Sequence, residues 1–139
     1  MDSKLLMIGD WVLVNGIPMQ IQAIDAIDDE IMAGDELYCL IEDRVHSEDK
    51  VEPIPLTAEI LEKNGFKHHL IAEKGFKREE WTLSDDYYDI VVSEWSDSIW
   101  VFRYDCTEMN TPHEQRTFSY VHNLQHALRE CGIDKEIVL

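Results

Sequence analysis

The dipeptide Asn15-Gly16 stands between two β-rich runs in residues 8–25, IGDWVLVNGIPMQIQAID. A two-residue type I′ turn needs positive φ at both central residues, and Asn followed by Gly meets that demand with little strain. Trp11, Leu13, Ile17, Met19 and Ile21 alternate with Val12, Val14, Gln20 and Gln22, the period of a strand. Gly9-Asp10 supplies a turn before the first strand. Pro18 has no N–H to give a ladder, so it belongs at an edge or beside a bulge. A further strand is expected over 36–43, ELYCLIED, with Leu37, Cys39 and Ile41 on one face. The segment 51–56, VEPIPL, is extended, because each proline turns its predecessor away from helix. Short strands joined by tight turns predict a small SH3-like, partly open β-barrel, with a plain meander as the alternative.

After Leu56 the pattern changes. Thr57 suits an N-cap, Glu59 falls in the first turn, and Asn64-Gly65 can end a short helix. ILEKNGFK (60–67) is echoed by LIAEKGFK (70–77), which predicts a second short helix ending at Gly75. Strands return at DYYDIVVSEW and SIWVFRYDC, with Ser96-Asp97 as the hairpin turn. Trp95, Trp100, Phe102 and Tyr104 are the expected anchors of a second core. Residues 107–115 read as a loop, and a terminal helix is stopped by Gly132. The expected class is α+β: an SH3-like β lobe over 1–56, then a lobe over 57–139 with an antiparallel strand hairpin, short helices and a C-terminal helix. One compact domain is compatible with the same pattern.

The chain has 29 acidic and 12 basic residues among 139, a formal charge of −17. Residues 1–56 hold 13 acidic and 3 basic groups, and 81–115 hold 8 and 1. Residues 57–80 and 116–139 are each balanced, at 5 against 5 and 3 against 3. Such a surface repels nucleic acid and anionic lipid and attracts a basic protein. Solubility alone also accounts for it. Asp25, Asp28, Asp29 and Glu30 in the first acidic block, and Asp85, Asp86 and Asp89 in the second, are the candidate interaction residues. Three cysteines without paired spacing and no apolar targeting segment after Met1 fit a reduced, cytoplasmic chain, and no run is apolar and long enough for a membrane span.

The stretch YVHNLQHALRECG (120–132) has two histidines four apart, like the helix of zinc peptidases. Asn123 stands where that helix needs a Glu general base, and amide cannot take a proton from water. At about 100° per residue, Tyr120, Val121, Leu124, Ala127, Leu128 and Cys131 form an apolar stripe, and His122 and His126 fall nearly opposite it. These two, with His113 as the nearest third ligand in sequence, are the weak metal candidates; solvent-facing histidines on an amphipathic helix are the preferred reading. No catalytic residue and no cofactor is assigned. DAIDDE (25–30) lacks the alternating oxygens and central Gly of an EF-hand loop. His68-His69 would point in different directions, and neither Cys106 nor Cys131 has a C-x-x-C partner. There is no phosphate loop, G-x-S-x-G or basic-aromatic surface. The aromatics of 87–104 read as core before they read as a binding platform.

Gly9 to Gly16, Pro53 to Phe66 and Tyr120 to His126 together resemble a family of small uncharacterised proteins of gut Bacteroides, their phages and mobile elements. Members carry a G-[DN]-x-V-x-x-N-G hairpin, a P-I-P-L-T-x-E-x-L-x-x-x-G-F segment and a Y-V-H-x-L-Q-x-L helix; Ala127 departs from the last apolar slot. The resemblance covers both ends of the chain and implies a bacterial or phage cytoplasm, but no activity or catalytic residue. The leading expectation is a non-enzymatic acidic protein-interaction module from a mobile element, with a basic partner and no direct contact with nucleic acid or membrane. A nucleic-acid-mimicking inhibitor of a defence or regulatory protein is the alternative. A small metal-dependent hydrolase is a third. An exposed apolar patch would favour docking, and a regular row of carboxylates would favour mimicry.

Overall fold

The computed structural model describes residues 5–40, 50–106 and 114–139, without the side chains of Cys39 and Glu114. It is an α+β protein with two five-stranded antiparallel sheets and two helices. The chain separates into two compact units, Met1–Ile54 with Tyr120–His122, and Pro55–Ser119 with Asn123–Leu139.

In the first unit the strands are β1 (Trp11–Val14), β2 (Ile17–Asp25), β3 (Glu30–Ala33), β4 (Glu36–Cys39) and β5 (Val51–Pro53), in the order β4-β3-β2-β1-β5. Asn15 (φ 51°) and Gly16 (φ 81°) form the expected turn, and the register Val14 to Ile17 follows directly. The Asn15 side chain does more than tolerate the turn. Its Oδ1 accepts from Lys50 N at 2.7 Å, while Asn15 N donates to Lys50 O at 2.8 Å, and this anchors the start of β5 beside β1. Pro18 faces Leu13 in the β1 ladder, whereas β3 joins β2 only from Ile21 onward, with a register shift between Ile21 and Ala23. Among the described residues the proline therefore sits where β2 is locally an edge, as its missing N–H requires.

Val12, Val14, Ile21, Ile31, Leu40 and Val51 fill this unit's core with Leu6. Asp10 is fully buried, and its Oδ2 accepts from Met7 N at 2.8 Å. Its carbonyl accepts from Ile21 N and Gly9 N donates to Ile21 O, so the Gly9-Asp10 turn is stitched to β2. Ile41 and the rest of the expected strand end at 41–43 lie outside the described residues.

The second unit opens with α1 (Ala58–Lys63). Thr57 is its N-cap, with Oγ1 accepting from Ile60 N at 3.3 Å, and Asn64 is its C-cap. Gly65 (φ 87°) then lets Phe66 turn back, with Phe66 N donating to Leu61 O. Five strands follow: β6 (Lys67–Glu73), β7 (Phe76–Ser84), β8 (Tyr88–Ser96), β9 (Ile99–Cys106) and β10 (Glu114–Phe118), paired in sequence order. Helix α2 (Val121–Glu130) ends with Ile133 N donating to Leu128 O and Gly132 at φ 74°, the Schellman arrangement.

Several expectations are corrected. LIAEKGFK is no helix: it crosses from β6 to β7 through Lys74 (φ 46°) and Gly75 (φ 84°). The echo with 60–67 fails because the second copy lacks a Thr57-like cap, so nothing nucleates a helix there. The β8–β9 turn is Asp97-Ser98, one residue later than expected, with Ser98 at φ 65°. Residues 107–113 of the expected loop lie outside the described residues, but Glu114 and Gln115 begin β10. Trp100 and Phe102 are buried as expected, and Trp95 is not, at 71% exposure.

The tail beyond Gly132 is tied down by one side chain. Asn64 Nδ2 donates to Ile60 O and Val138 O, both at 2.7 Å, and Asn64 Oδ1 accepts from Val138 N at 2.8 Å. The amide thus pairs with the Val138 backbone as a strand neighbour would, and Ile133 and Ile137 are buried beside it in sequence. Lys63 Nζ also donates to the Leu139 carbonyl.

Two stability predictions follow from these contacts. Gly16→Val should cost roughly 1–3 kcal/mol in thermal unfolding, entirely as backbone strain, because a Cβ there meets no atom within 4 Å. Asn64→Asp should cost about 1–3 kcal/mol, since a carboxylate turns two donated hydrogen bonds into repulsions. Unchanged midpoints would contradict each in turn.

Candidate docking surfaces

The two acidic segments form ordered turns, one in each unit. Between β2 and β3, Asp25 Oδ1 accepts from Ile27 N at 3.0 Å and Asp28 N at 3.1 Å. Asp29, at φ 50°, turns the chain into Glu30 and β3. Between β7 and β8, Asp85 Oδ1 accepts from Tyr87 N at 2.7 Å and Tyr88 N at 3.0 Å. One carboxylate per turn is thereby spent on the backbone, an Asx turn in each case. Asp28, Asp86 and Asp89 are exposed, and Asp29 and Glu30 are half-buried. Asp89 lies directly opposite Asp105 in the β8–β9 ladder, and Arg103 Nε approaches Asp105 Oδ2 at 3.4 Å.

Burial raises the Tyr88 phenol above its ordinary value, and the Asp85 charge and hydrogen bond push it the same way. The Tyr104 phenol, 6.2 Å from it between ring centres, is raised first by burial and then by its Cys106 contact.

A different surface went unseen in the sequence. Leu70 (60% exposed), Phe76 (82%) and Trp95 (71%) stand out from the far part of the second sheet. An open groove of about 480 Å³ is lined by Leu70, Lys77, Glu79, Glu94 and Trp95 among others. On the opposite face of the same hairpin, Ile71, Phe76 and Arg78 border a smaller hollow of about 300 Å³. Trp95 is thrown outward because the ladder slips between Glu94 and Ser96, and such a bulge re-aims a side chain. No residue type signals that slip.

The histidines of the terminal helix are placed differently from the sequence reading. His122 is only 5% exposed and its ring stacks on Tyr120 at 5.8 Å and 8°. His126 is half-buried, and His113 lies outside the described residues. The helix buries Val121, His122, Leu124, Gln125, Ala127 and Leu128, about 220° of arc at about 100° per residue, so a single apolar stripe was too narrow a description. Among the described residues no three His, Cys, Asp or Glu side chains group as metal ligands.

No helix among the described residues is long and apolar enough to cross a membrane. Comparison with protein-family models, curated proteins and solved structures finds no match.

His122→Ala should therefore lower stability by about 1–3 kcal/mol, in contrast to a surface histidine, without changing zinc content in chelator-washed protein. A neutral effect on unfolding would return His122 to the surface. Asp85→Asn should bring the Tyr88 phenol back down toward its ordinary value of 10.0. A phenol whose pKa is raised by folding stabilises the fold below pH 10 and loses that contribution as pH rises through the folded value. The gain thus disappears on the alkaline side, and ultraviolet phenolate titration of the variant reads it.

Proposed function

We propose that this chain is a non-enzymatic acidic protein-interaction module that docks a basic partner in a bacterial or phage cytoplasm. The observation that carries the reading is the pair of exposed side chains Leu70 and Trp95, which line one open groove on the second sheet. Large apolar side chains held out of a core offer the buried anchors on which protein interfaces concentrate their energy. The acidic turns at 25–30 and 85–89 add a field that speeds encounter with a positive surface and excludes nucleic acid. A nucleic-acid mimic would need carboxylates in a regular row. Asp25 and Asp85 are instead committed to their own backbones, which favours docking. The mobile-element origin rests on the sequence resemblance alone.

An SH3-like N-terminal unit is part of the same proposal. It is supported by the order β5-β1-β2-β3-β4 and by the bulge in the shared strand β2, where such a sheet bends.

The test is a pull-down from a bacterial host followed by binding kinetics on the partner found. Trp95→Ser is expected to weaken binding about tenfold or more through faster dissociation. Neutralising Asp25, Asp28, Asp29 and Glu30, then Asp85, Asp86 and Asp89, should instead slow association in a salt-dependent way. Binding untouched by Trp95→Ser but abolished by the acidic substitutions would replace docking by mimicry. A turnover of any substrate that requires His122 or His126 would replace both by an enzyme.

A further inference from the structure

Among the described residues, strand β6 ends the second sheet and pairs only with β7. Its sequence is Lys-His-His-Leu-Ile-Ala-Glu, and every residue but half-buried Ile71 is exposed. The two-residue Lys74-Gly75 turn fixes which backbone groups face where. Such a turn closes on a doubly hydrogen-bonded pair, here Glu73 with Phe76, and pairing then alternates along the ladder. The N–H and C=O groups of Lys67, His69, Ile71 and Glu73 therefore point to β7. Those of His68, Leu70 and Ala72 point to the open edge.

Both histidine side chains lean back on β7 and leave that edge clear. The His68 ring lies 4.9 Å from that of Trp81, and its Nε2 is 3.6 Å from Glu79 Oε1. His69 Nε2 is 2.9 Å from Thr82 Oγ1.

We infer that β6 is a self-recognition edge, which pairs antiparallel with β6 of a second copy of this chain about a two-fold axis at Leu70. In that register Leu70 faces Leu70 of the second copy, and His68 faces Ala72. All three outward N–H groups of each copy then meet outward carbonyls. The same register sets Lys67 of each copy opposite Glu73 of the other, two opposite-charge cross-strand pairs at the ends of a seven-residue overlap. Shifting the register by two residues loses both pairs and shortens the ladder.

The charge map favours a second copy at this edge over any other face. The chain carries −17 overall, which drives copies apart wherever the acidic blocks meet. Residues 67–84 hold Lys67, Lys74, Lys77 and Arg78 against Glu73, Glu79 and Glu80, so the hairpin is slightly positive. Two such edges approach without the repulsion felt elsewhere. The remaining repulsion between copies is screened within about 8 Å at physiological ionic strength, so the dimer strengthens from low salt to that range.

This pairing stands whether or not the groove beside Trp95 takes a partner, and Trp95→Ser should leave it intact. The experiment is sedimentation equilibrium of the full chain, across a concentration series reaching the millimolar range. Wild-type protein should form a dimer. Lys67→Glu and Glu73→Lys, both at exposed positions, should each weaken association about tenfold, because each sets like charges opposite one another. An equimolar mixture of the two variants should dimerise again as a mixed pair. Net charge alone predicts the reverse for Glu73→Lys, which makes the chain less negative and less self-repelling. A wild-type chain monomeric throughout, or a dimer strengthened by Glu73→Lys, overturns the proposal. So does a mixture that associates no better than its components.

Discussion

Positive φ at paired turn residues is the constraint on which this structure depends. Asn15-Gly16, Gly34-Asp35 and Lys74-Gly75 each hold both central residues in the left-handed region. A two-residue connection of that hand matches the right-handed twist of the strands it joins. It also leaves no freedom in register, and a slip of one residue would turn every side chain to the wrong face. The first turn seats Val12 and Val14 in one core, the second places Ile31 beside them, and the third sets which edge of β6 stays open. Core packing and exposed surface therefore have a common origin in a few backbone angles.

Charge acts on this frame in two ways. Within the turns, Asp25 and Asp85 organise the chain by accepting backbone N–H groups, so part of the acidity is structural. The rest leaves the chain with a strongly negative field, which repels polyanions and draws cations. The β6–β7 hairpin interrupts that field with a near-balanced strip, and it also bears the exposed Leu70 and Phe76. The proposed draw on a foreign partner comes from the acidic turns and the proposed pairing with a like chain from the near-balanced edge of β6, so salt should weaken the first and strengthen the second.

Those parts of the fold that rest on local chemistry were legible in the sequence. Asn15-Gly16 announced its turn, Pro18 its edge, and Thr57 and Asn64 the two ends of α1. Lys74-Gly75 was hidden because Leu70, Ile71, Ala72, Glu73 and Lys74 are all tolerable in a helix, and their apolar residues are contiguous rather than alternating. Only the absence of a cap ahead of them argued for a strand. His122 was misplaced for another reason: a helical wheel assumes one buried face, and α2 is covered over more than half its circumference. The outward Trp95 depends on a ladder slip that no residue type marks. As for the candidate surfaces, the acidic residues could be named in advance, but the groove could not, since its lining comes from three strands brought together by pairing.

Residue-resolved amide hydrogen exchange tests the central claim most directly, because the phase of β6 and its occupancy by a second copy are read from the same amides. In dilute protein the account predicts slow exchange at Lys67, His69, Ile71 and Glu73, and fast exchange at His68, Leu70 and Ala72. As concentration rises, the second set alone should gain protection. Protection of His68, Leu70 and Ala72 in dilute protein with fast exchange at the others would contradict the assigned phase, and exchange at all seven positions indifferent to concentration would contradict the pairing.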